Sequence, residues 1–377
     1  MGNRHDPLAA FSPDYATARN RFREAADRLG WRLEAHPVKA PQGVDDDLTI
    51  DVALSPGRDD SRAVVVSSGL HGAEGFIGSA VQVGLLEQWA ATAPRIDLPV
   101  RCVFVHALNP YGFAFIRRVN EENVDPNRNF LLPGQEYKGS PATYAALNHF
   151  LNPQHPPSAL EPFALKAVYV TFKYGRAALK QAIAEGQFDF PKGIFFGGSR
   201  PTRTNEVLSE NLARWLQGCN DVIHLDFHTG LGPRATCKIL IDYPLSGRQL
   251  ARLNTWFGPD SYEICDPKLI SYHVRGGFDR WCVSRIPGCD YLHLCAEYGT
   301  YSPIEVVRGL RAENQAYHWG RSTDRSARET KTRLKELFCP AAPDWRQRTY
   351  ETGVDLVGKA ISCLSAAANS KGDSSGT

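Results

Sequence analysis

The sequence predicts an α/β fold, with a mixed, mostly parallel central sheet, helices on both faces and one inserted segment. Two observations support this prediction. Short apolar runs rich in β-branched residues alternate with longer runs whose apolar residues recur at helical spacing. The composition is that of an ordinary globular protein, with 42% hydrophobic and 22% charged residues in a chain of 377.

The strands and helices can be placed in order along the chain. The first 45 residues predict a helix followed by an extended segment. Helical spacing indicates helices at 76–91 and 204–218. Strands alternating with helices favour a parallel sheet that is covered on both sides. Six runs have the length and composition of buried strands, at 48–54, 62–70, 101–108, 221–230, 237–243 and 290–300.

One region interrupts this alternation. Residues 131–205 are rich in Pro, Gly and aromatic residues, and no low-complexity linker flanks them. We therefore expect an insertion that folds over the sheet within a single catalytic domain of residues 1–364. Its role as a lid or as a dimer interface stays open, as does the oligomeric state. The small, polar tail at 365–377 is expected to be disordered.

Charge and cysteine content exclude several classes of protein. The formal net charge is +2 with mixed signs throughout, so we expect neither nucleic acid nor a membrane as a partner. No apolar run approaches the roughly 20 residues that a membrane span needs. The N-terminus lacks the pattern of a secretory signal. Nine cysteines without a Cys-x-x-Cys pair predict reduced core thiols and a cytoplasmic protein.

Polar side chains follow several of the predicted strands, at the edge where open α/β sheets bind ligands. Taken singly, each has an ordinary interpretation: a turn pair, a structural arginine or a hydrogen-bonded core histidine. Together they resemble a hydrolytic zinc site, in which two His and one Glu leave a position open for water. The four groups are His71 with Glu74, the run VDPNRNF at 124–130, Asp226 with His228, and Glu297.

The order of these motifs resembles the zinc carboxypeptidase (funnelin) superfamily. HGAE, VDPNRNF, LDFHTG and AEYGT follow one another across roughly residues 48–305. Other stretches, such as HGAEGFIGSA, are similar to an uncharacterised bacterial branch that is related to aspartoacylase and succinylglutamate desuccinylase. The resemblance implies one zinc ion held by His71, Glu74 and His228, with Glu297 as general base.

The resemblance also implies roles for residues around the metal. Asn127 and Arg128 would bind a substrate carboxylate, and Asp125 would orient His71. Arg118 would polarise the scissile carbonyl, although the adjacent Arg117 is an alternative. Tyr272 is best placed to cover the substrate, with competitors at Tyr243, Tyr262 and Tyr291.

The expected function is therefore zinc-dependent hydrolysis of an amide next to a free carboxylate. The substrate would be a peptide or an N-acyl amino acid. Three alternatives remain: an amidohydrolase of the aspartoacylase or desuccinylase type, an esterase acting on a small metabolite, and a non-catalytic module that binds carboxylates.

Overall fold

A computed structural model of the chain describes residues 6–40, 47–93, 96–158, 160–175, 179, 181, 185–264 and 274–372, with side chains up to residue 366. Eight strands form one sheet: β1 Arg32–Pro37, β2 Thr49–Leu54, β3 Asp59–Ser68, β4 Val100–His106, β5 Asp221–Arg234, β6 Cys237–Ile241, β7 Tyr262–Ile264 and β8 Asp290–Gly299. The described helices are α1 Tyr15–Arg28, α2 Gly75–Thr92, α3 Pro110–Ala114, α4 Ala142–Leu151, α5 Phe163–Tyr174, α6 Arg203–Trp215, α7 Gly247–Trp256, α8 Phe278–Arg285, α9 Pro303–Trp319, α10 Arg325–Phe338 and α11 Pro343–Gly372.

The strand order in the sheet is β1-β2-β4-β3-β5-β8-β6-β7. The four central strands, β4, β3, β5 and β8, are parallel to one another, and antiparallel strands flank them on both sides. The prediction of a mixed, mostly parallel sheet is confirmed, as are the six predicted strands. The extended segment after α1 is edge strand β1, while the three-residue strand β7 was not predicted.

Residues of β5 alternate between the two faces of the sheet. His224, Asp226 and His228 share the face covered by α8, where the rings of Phe278 and His224 lie 5.6 Å apart. Phe227 points to the other face, where α2 and α11 pack closely against it through Gly78 and Gly353. Helices therefore cover both faces, and His224, Asp226 and His228 lie on the α8 side.

The inserted segment packs on the C-terminal helices. Tyr144 and Leu147 of α4 and Val170 of α5 form a buried cluster with Leu310 of α9 and Leu334 of α10. The cluster also includes Ala73 of the turn that precedes α2. The segment thus borders the His71–Glu74 turn, and the choice between a lid and a dimer interface stays open.

Helix α11 continues to Gly372. The expected disorder of the tail at 365–377 stays a prediction. Among the described residues, no helix is both long and apolar enough to cross a bilayer.

Candidate metal centre

The turn that carries His71 and Glu74 is shaped by a close backbone contact. The chain leaves β3 through Gly69, whose φ is +67°, and then forms a 3₁₀ turn over Gly72–Glu74. A Cβ on Gly72 would lie 2.0 Å from the carbonyl carbon of Gly112, so only glycine fits there. The Ala73 N–H donates to the carbonyl oxygen of Arg117 at 2.7 Å. The turn is therefore held against α3 and the segment that follows it.

This turn brings three predicted ligands together. The Nδ1 atoms of His71 and His228 lie 3.0 and 3.2 Å from the two carboxylate oxygens of Glu74. The three residues are buried, and their ligand atoms lie within 4.8 Å of one another. In the described part of the chain, Nδ1 of His71 has no hydrogen-bond partner. A buried nitrogen without a partner is costly, and a metal ion between these atoms would satisfy it.

Carboxylates hold the outer nitrogens of both histidines. Nε2 of His71 lies 3.1 Å from Asp125 Oδ1 and 2.7 Å from Arg118 Nη2, and Nε2 of His228 lies 2.7 Å from Asp226 Oδ2. Metal-ligating histidines almost always bind such a partner through the nitrogen that faces away from the metal, which fixes the tautomer. The arrangement leaves both Nδ1 atoms for an ion. The predicted contact between Asp125 and His71 is thus present.

The electrostatics of the site also suit a cation. Burial raises the pKa of Glu74, but His71, His228 and Arg118 outweigh it and lower the pKa below its ordinary value. Burial lowers the pKa of His228, yet Asp226 and Glu74 raise it well above its ordinary value. Metal binding to a histidine releases any proton that its ligating nitrogen carries.

Glu297 lies beside His228 on the neighbouring strand, in register with it. The Leu231 N–H donates to its Oε1 at 2.8 Å. Burial, followed by the negative charge of Glu74, raises the pKa of Glu297 to about 7. A carboxyl group with this pKa can accept and return a proton at neutral pH.

The two adjacent arginines point in different directions. Arg118 donates through Nη1 to Glu74 at 3.0 Å and through Nε to Asp125 at 2.9 Å. Arg117 is fully buried elsewhere, where it donates to Glu313 and to Asn123, both at 2.9 Å. Of the two alternatives in the sequence, only Arg118 lies at the metal centre.

Asn127 and Arg128 belong to a second 3₁₀ turn, Pro126–Arg128, which Asp125 caps through the Asn127 N–H. Arg128 is buried, and its Nη1 donates to the carbonyl oxygen of Asn127 at 2.8 Å. Its Nε has no hydrogen-bond partner among the described residues. Burial and the nearby Arg118 lower the pKa of Arg128 to about 10, so the group stays charged. A buried guanidinium with an unused donor is suited to bind an anion.

Tyr272, the residue predicted to cover the substrate, lies outside the described residues. Its three competitors have other contacts: the Tyr243 hydroxyl donates to the His293 carbonyl oxygen, the Tyr262 hydroxyl donates to Asn254, and the Tyr291 hydroxyl lies 2.8 Å from His224 Nδ1.

Asp226 has a role that the sequence did not assign. Besides His228, it accepts a hydrogen bond from the Ser67 hydroxyl at 2.6 Å, and that hydroxyl lies 2.7 Å from His224 Nε2. A buried chain thus runs from His228 through Asp226 and Ser67 to His224 and Tyr291. The sequence signal was the alternation of His224, Asp226 and His228 along one strand, which places all three on one face.

The fold and the site define an α/β protein with a buried His–Glu–His group beside a parallel sheet. The chain belongs to the family DUF2817, described as a protein of unknown function, which matches residues 11–352. No curated protein matches the chain significantly.

Solved structures similar to this chain include a carboxypeptidase, a fibrinolysis inhibitor and a succinylglutamate desuccinylase. Carboxypeptidase A from Helicoverpa armigera is 14% identical, with 85% of this chain and 73% of that chain covered and a TM-score of 0.48. Bovine thrombin-activatable fibrinolysis inhibitor is 12% identical, with coverage of 92% and 98% and a TM-score of 0.43. A succinylglutamate desuccinylase from Silicibacter sp. TM1040 is 15% identical, with coverage of 76% and 67% and a TM-score of 0.38.

Proposed function

We propose that this protein is a zinc-dependent hydrolase that cleaves an amide bond next to a free carboxylate. The observation that carries the proposal is the arrangement of His71, Glu74 and His228. Both Nδ1 atoms face the Glu74 carboxylate. Each Nε2 atom contacts a carboxylate of another residue, Asp125 or Asp226. Two histidines and one glutamate are a common catalytic zinc set, which binds one ion and leaves a position for water.

The chemistry that zinc supplies in such a site is a lower pKa for bound water and a polarised substrate carbonyl. Glu297 would accept the proton of the water and later return it to the leaving amine. Arg118 would donate to the carbonyl oxygen as negative charge develops there. In the structure Arg118 donates to Glu74 and Asp125 instead, so it would exchange one of these contacts for the substrate.

Substrate binding would depend on Arg128 and Asn127. The buried guanidinium of Arg128 would hold a carboxylate through two parallel hydrogen bonds, a geometry that arginine favours. Such an anchor orients the amide for attack without taking part in the chemistry. The substrate would be a peptide or an N-acyl amino acid. The cytoplasmic localisation stays a prediction.

Zinc analysis of the purified protein tests the ligand set. We expect one zinc ion per wild-type chain and a loss of zinc in His71→Ala and His228→Ala, as measured by elemental analysis. His149→Ala changes an exposed histidine on α4 and is the matched control. Stoichiometric zinc in both ligand variants would refute the proposed ligands.

Turnover measurements test the base and the substrate class. Glu297→Gln should keep its zinc and lose activity by about 100- to 10,000-fold, the usual contribution of a general acid–base group. Peptides with a free C-terminus, N-acyl amino acids and carboxylate esters should be assayed side by side. If a zinc-loaded wild-type protein binds these carboxylates but hydrolyses none of them, the proposal of an enzyme is wrong and a binding module is favoured.

A further inference from the structure

Helix α5 of the inserted segment is apolar on two opposite faces. Its inner face is buried through Phe163, Ala167 and Val170, each at most 8% exposed. The ring of Phe163 stacks on Phe150 of α4 with 5.7 Å between centroids. This face explains how α5 attaches to the protein, but it accounts for only one side of the helix.

The outer face of α5 carries four large apolar side chains. Leu165, Val168, Tyr169 and Phe172 are 73, 68, 61 and 91% exposed, and Leu160 just before the helix is 92% exposed. Their spacing of three, one and three residues places the four helical residues in one stripe. We call these five residues the outer stripe. A helix that is apolar all round is normally buried, so an exposed outer stripe indicates a partner.

We propose that the outer stripe pairs with the same stripe of a second copy of this chain, across a two-fold axis. The area supports a stable pair. At about 150–250 Å² for each aromatic side chain and roughly 60–120 Å² for each aliphatic one, and with exposed fractions of 61–92%, the stripe offers on the order of 370–660 Å² per copy. A standard interface buries about 800 Å² per partner. The remainder would come from the polar rim around the stripe.

The charges of α5 favour a protein partner over a lipid surface. Helices that lie on membranes have a strongly charged face, rich in Lys and Arg, opposite the apolar one. The face of α5 opposite the outer stripe is packed in the protein interior. The only charged side chains in Phe163–Tyr174 are those of Lys166 and Lys173. The net charge of +2 gives little attraction to anionic lipids.

In a two-fold pair of antiparallel helices, residue i contacts residue j and j contacts i, so only a residue at the axis lies opposite its own equivalent. Val168 lies midway along Phe163–Tyr174, so the two copies of Val168 would lie closest to the axis. A cysteine at this position should therefore form a disulfide between the two chains.

Sedimentation of the full-length protein tests the pairing. We expect the wild type to be a dimer at micromolar concentration. The double variant Val168→Glu, Phe172→Glu should raise the dissociation constant by about 30-fold or more, which is the effect of losing one interface hot spot. Ile304→Glu alters an apolar residue of α9 that is 52% exposed, and it should remain dimeric. A monomeric wild type, or a dimer that persists in the double variant, would overturn the proposal.

Two further measurements distinguish the alternatives. Val168→Cys should form an intermolecular disulfide on mild oxidation, whereas Ile304→Cys and the wild type should not. Equal cross-linking in all three proteins would overturn the two-fold arrangement. Flotation with vesicles of phosphatidylcholine and phosphatidylserine should leave the wild type unbound. Binding that the double variant abolishes would show that the outer stripe contacts lipid and not a second copy.

Discussion

At the scale of single residues, the candidate metal centre depends on which nitrogen of each histidine contacts a carboxylate other than Glu74. His71 and His228 each present Nδ1 to Glu74 because Asp125 and Asp226 bind the Nε2 atoms. Asp226 is in turn fixed by the Ser67 hydroxyl. The ring orientation of His228 is thus set by side chains that would never touch the substrate.

Replacing Asp226 with asparagine keeps the size of the side chain and removes its charge. We expect zinc affinity to fall by about 10- to 100-fold, the usual effect of losing a partner of a ligating histidine. Competition with a chromogenic chelator measures this change. Asp344→Asn, which alters an exposed carboxylate, should leave the affinity unchanged. Wild-type affinity in Asp226→Asn would mean that Asp226 does not position the ligand.

At the scale of elements, the distance between the Gly72–Glu74 turn and α3 decides whether the three candidate metal ligands come together. Glycine is required at position 72 because a Cβ there would meet the backbone of Gly112. The Gly72–Glu74 turn cannot move away from Gly112 without losing two hydrogen bonds, because the N–H groups of Gly72 and Ala73 donate to the carbonyl oxygens of Arg118 and Arg117.

Gly72→Ala should therefore disrupt the site. The added methyl group would meet backbone atoms at 2.0 to 2.3 Å, and such overpacking typically costs about 1–3 kcal/mol or more. We expect a lower free energy of unfolding in urea and a loss of bound zinc. Gly247→Ala, at the start of α7, meets no atom within 4 Å and should be neutral or stabilising by up to about 1 kcal/mol. Equal stability of the two variants would contradict the close-contact argument.

At the scale of the whole molecule, the sequence predicted the central sheet well because β3, β4, β5 and β8 are continuous apolar runs. The edge strand β7 has only three residues and no pattern to detect. The choice between Arg117 and Arg118 needed tertiary structure, since adjacent side chains point apart and either could reach the site. The unpaired face of α5 was equally hidden, because burial of the opposite face depends on α4 and α9.

The attachment of the inserted segment to the rest of the protein should depend on pH through Glu161. Glu161 accepts hydrogen bonds from Arg311 of α9, one of them at 2.7 Å, and from Lys166 at 2.9 Å. Hydrogen bonds from Arg311 lower the pKa of Glu161 to about 2, although burial opposes them. Because the pKa in the folded state lies below the ordinary value of 4.5, this pair stabilises the protein fully above pH 4.5. The contribution is then lost as the pH falls towards 2.

Hydrogen exchange of the α4 and α5 amides in the wild type and in Glu161→Gln measures this contribution. At pH 6 the variant should exchange faster, because removing one partner of a buried ion pair costs about 3–5 kcal/mol. The difference between the two proteins should shrink as the pH falls below 4.5 and vanish only below about pH 2, because roughly half of the wild-type carboxyl groups are still ionised at pH 2. Glu329→Gln removes an exposed ion pair with Arg325 on α10 and should show no difference at any pH. A difference for Glu161→Gln that stays constant from pH 6 to pH 2 would show that the effect of the substitution does not come from the charge of Glu161, and no difference at any pH would show that packing alone holds the segment, through the cluster around Tyr144 and Leu310.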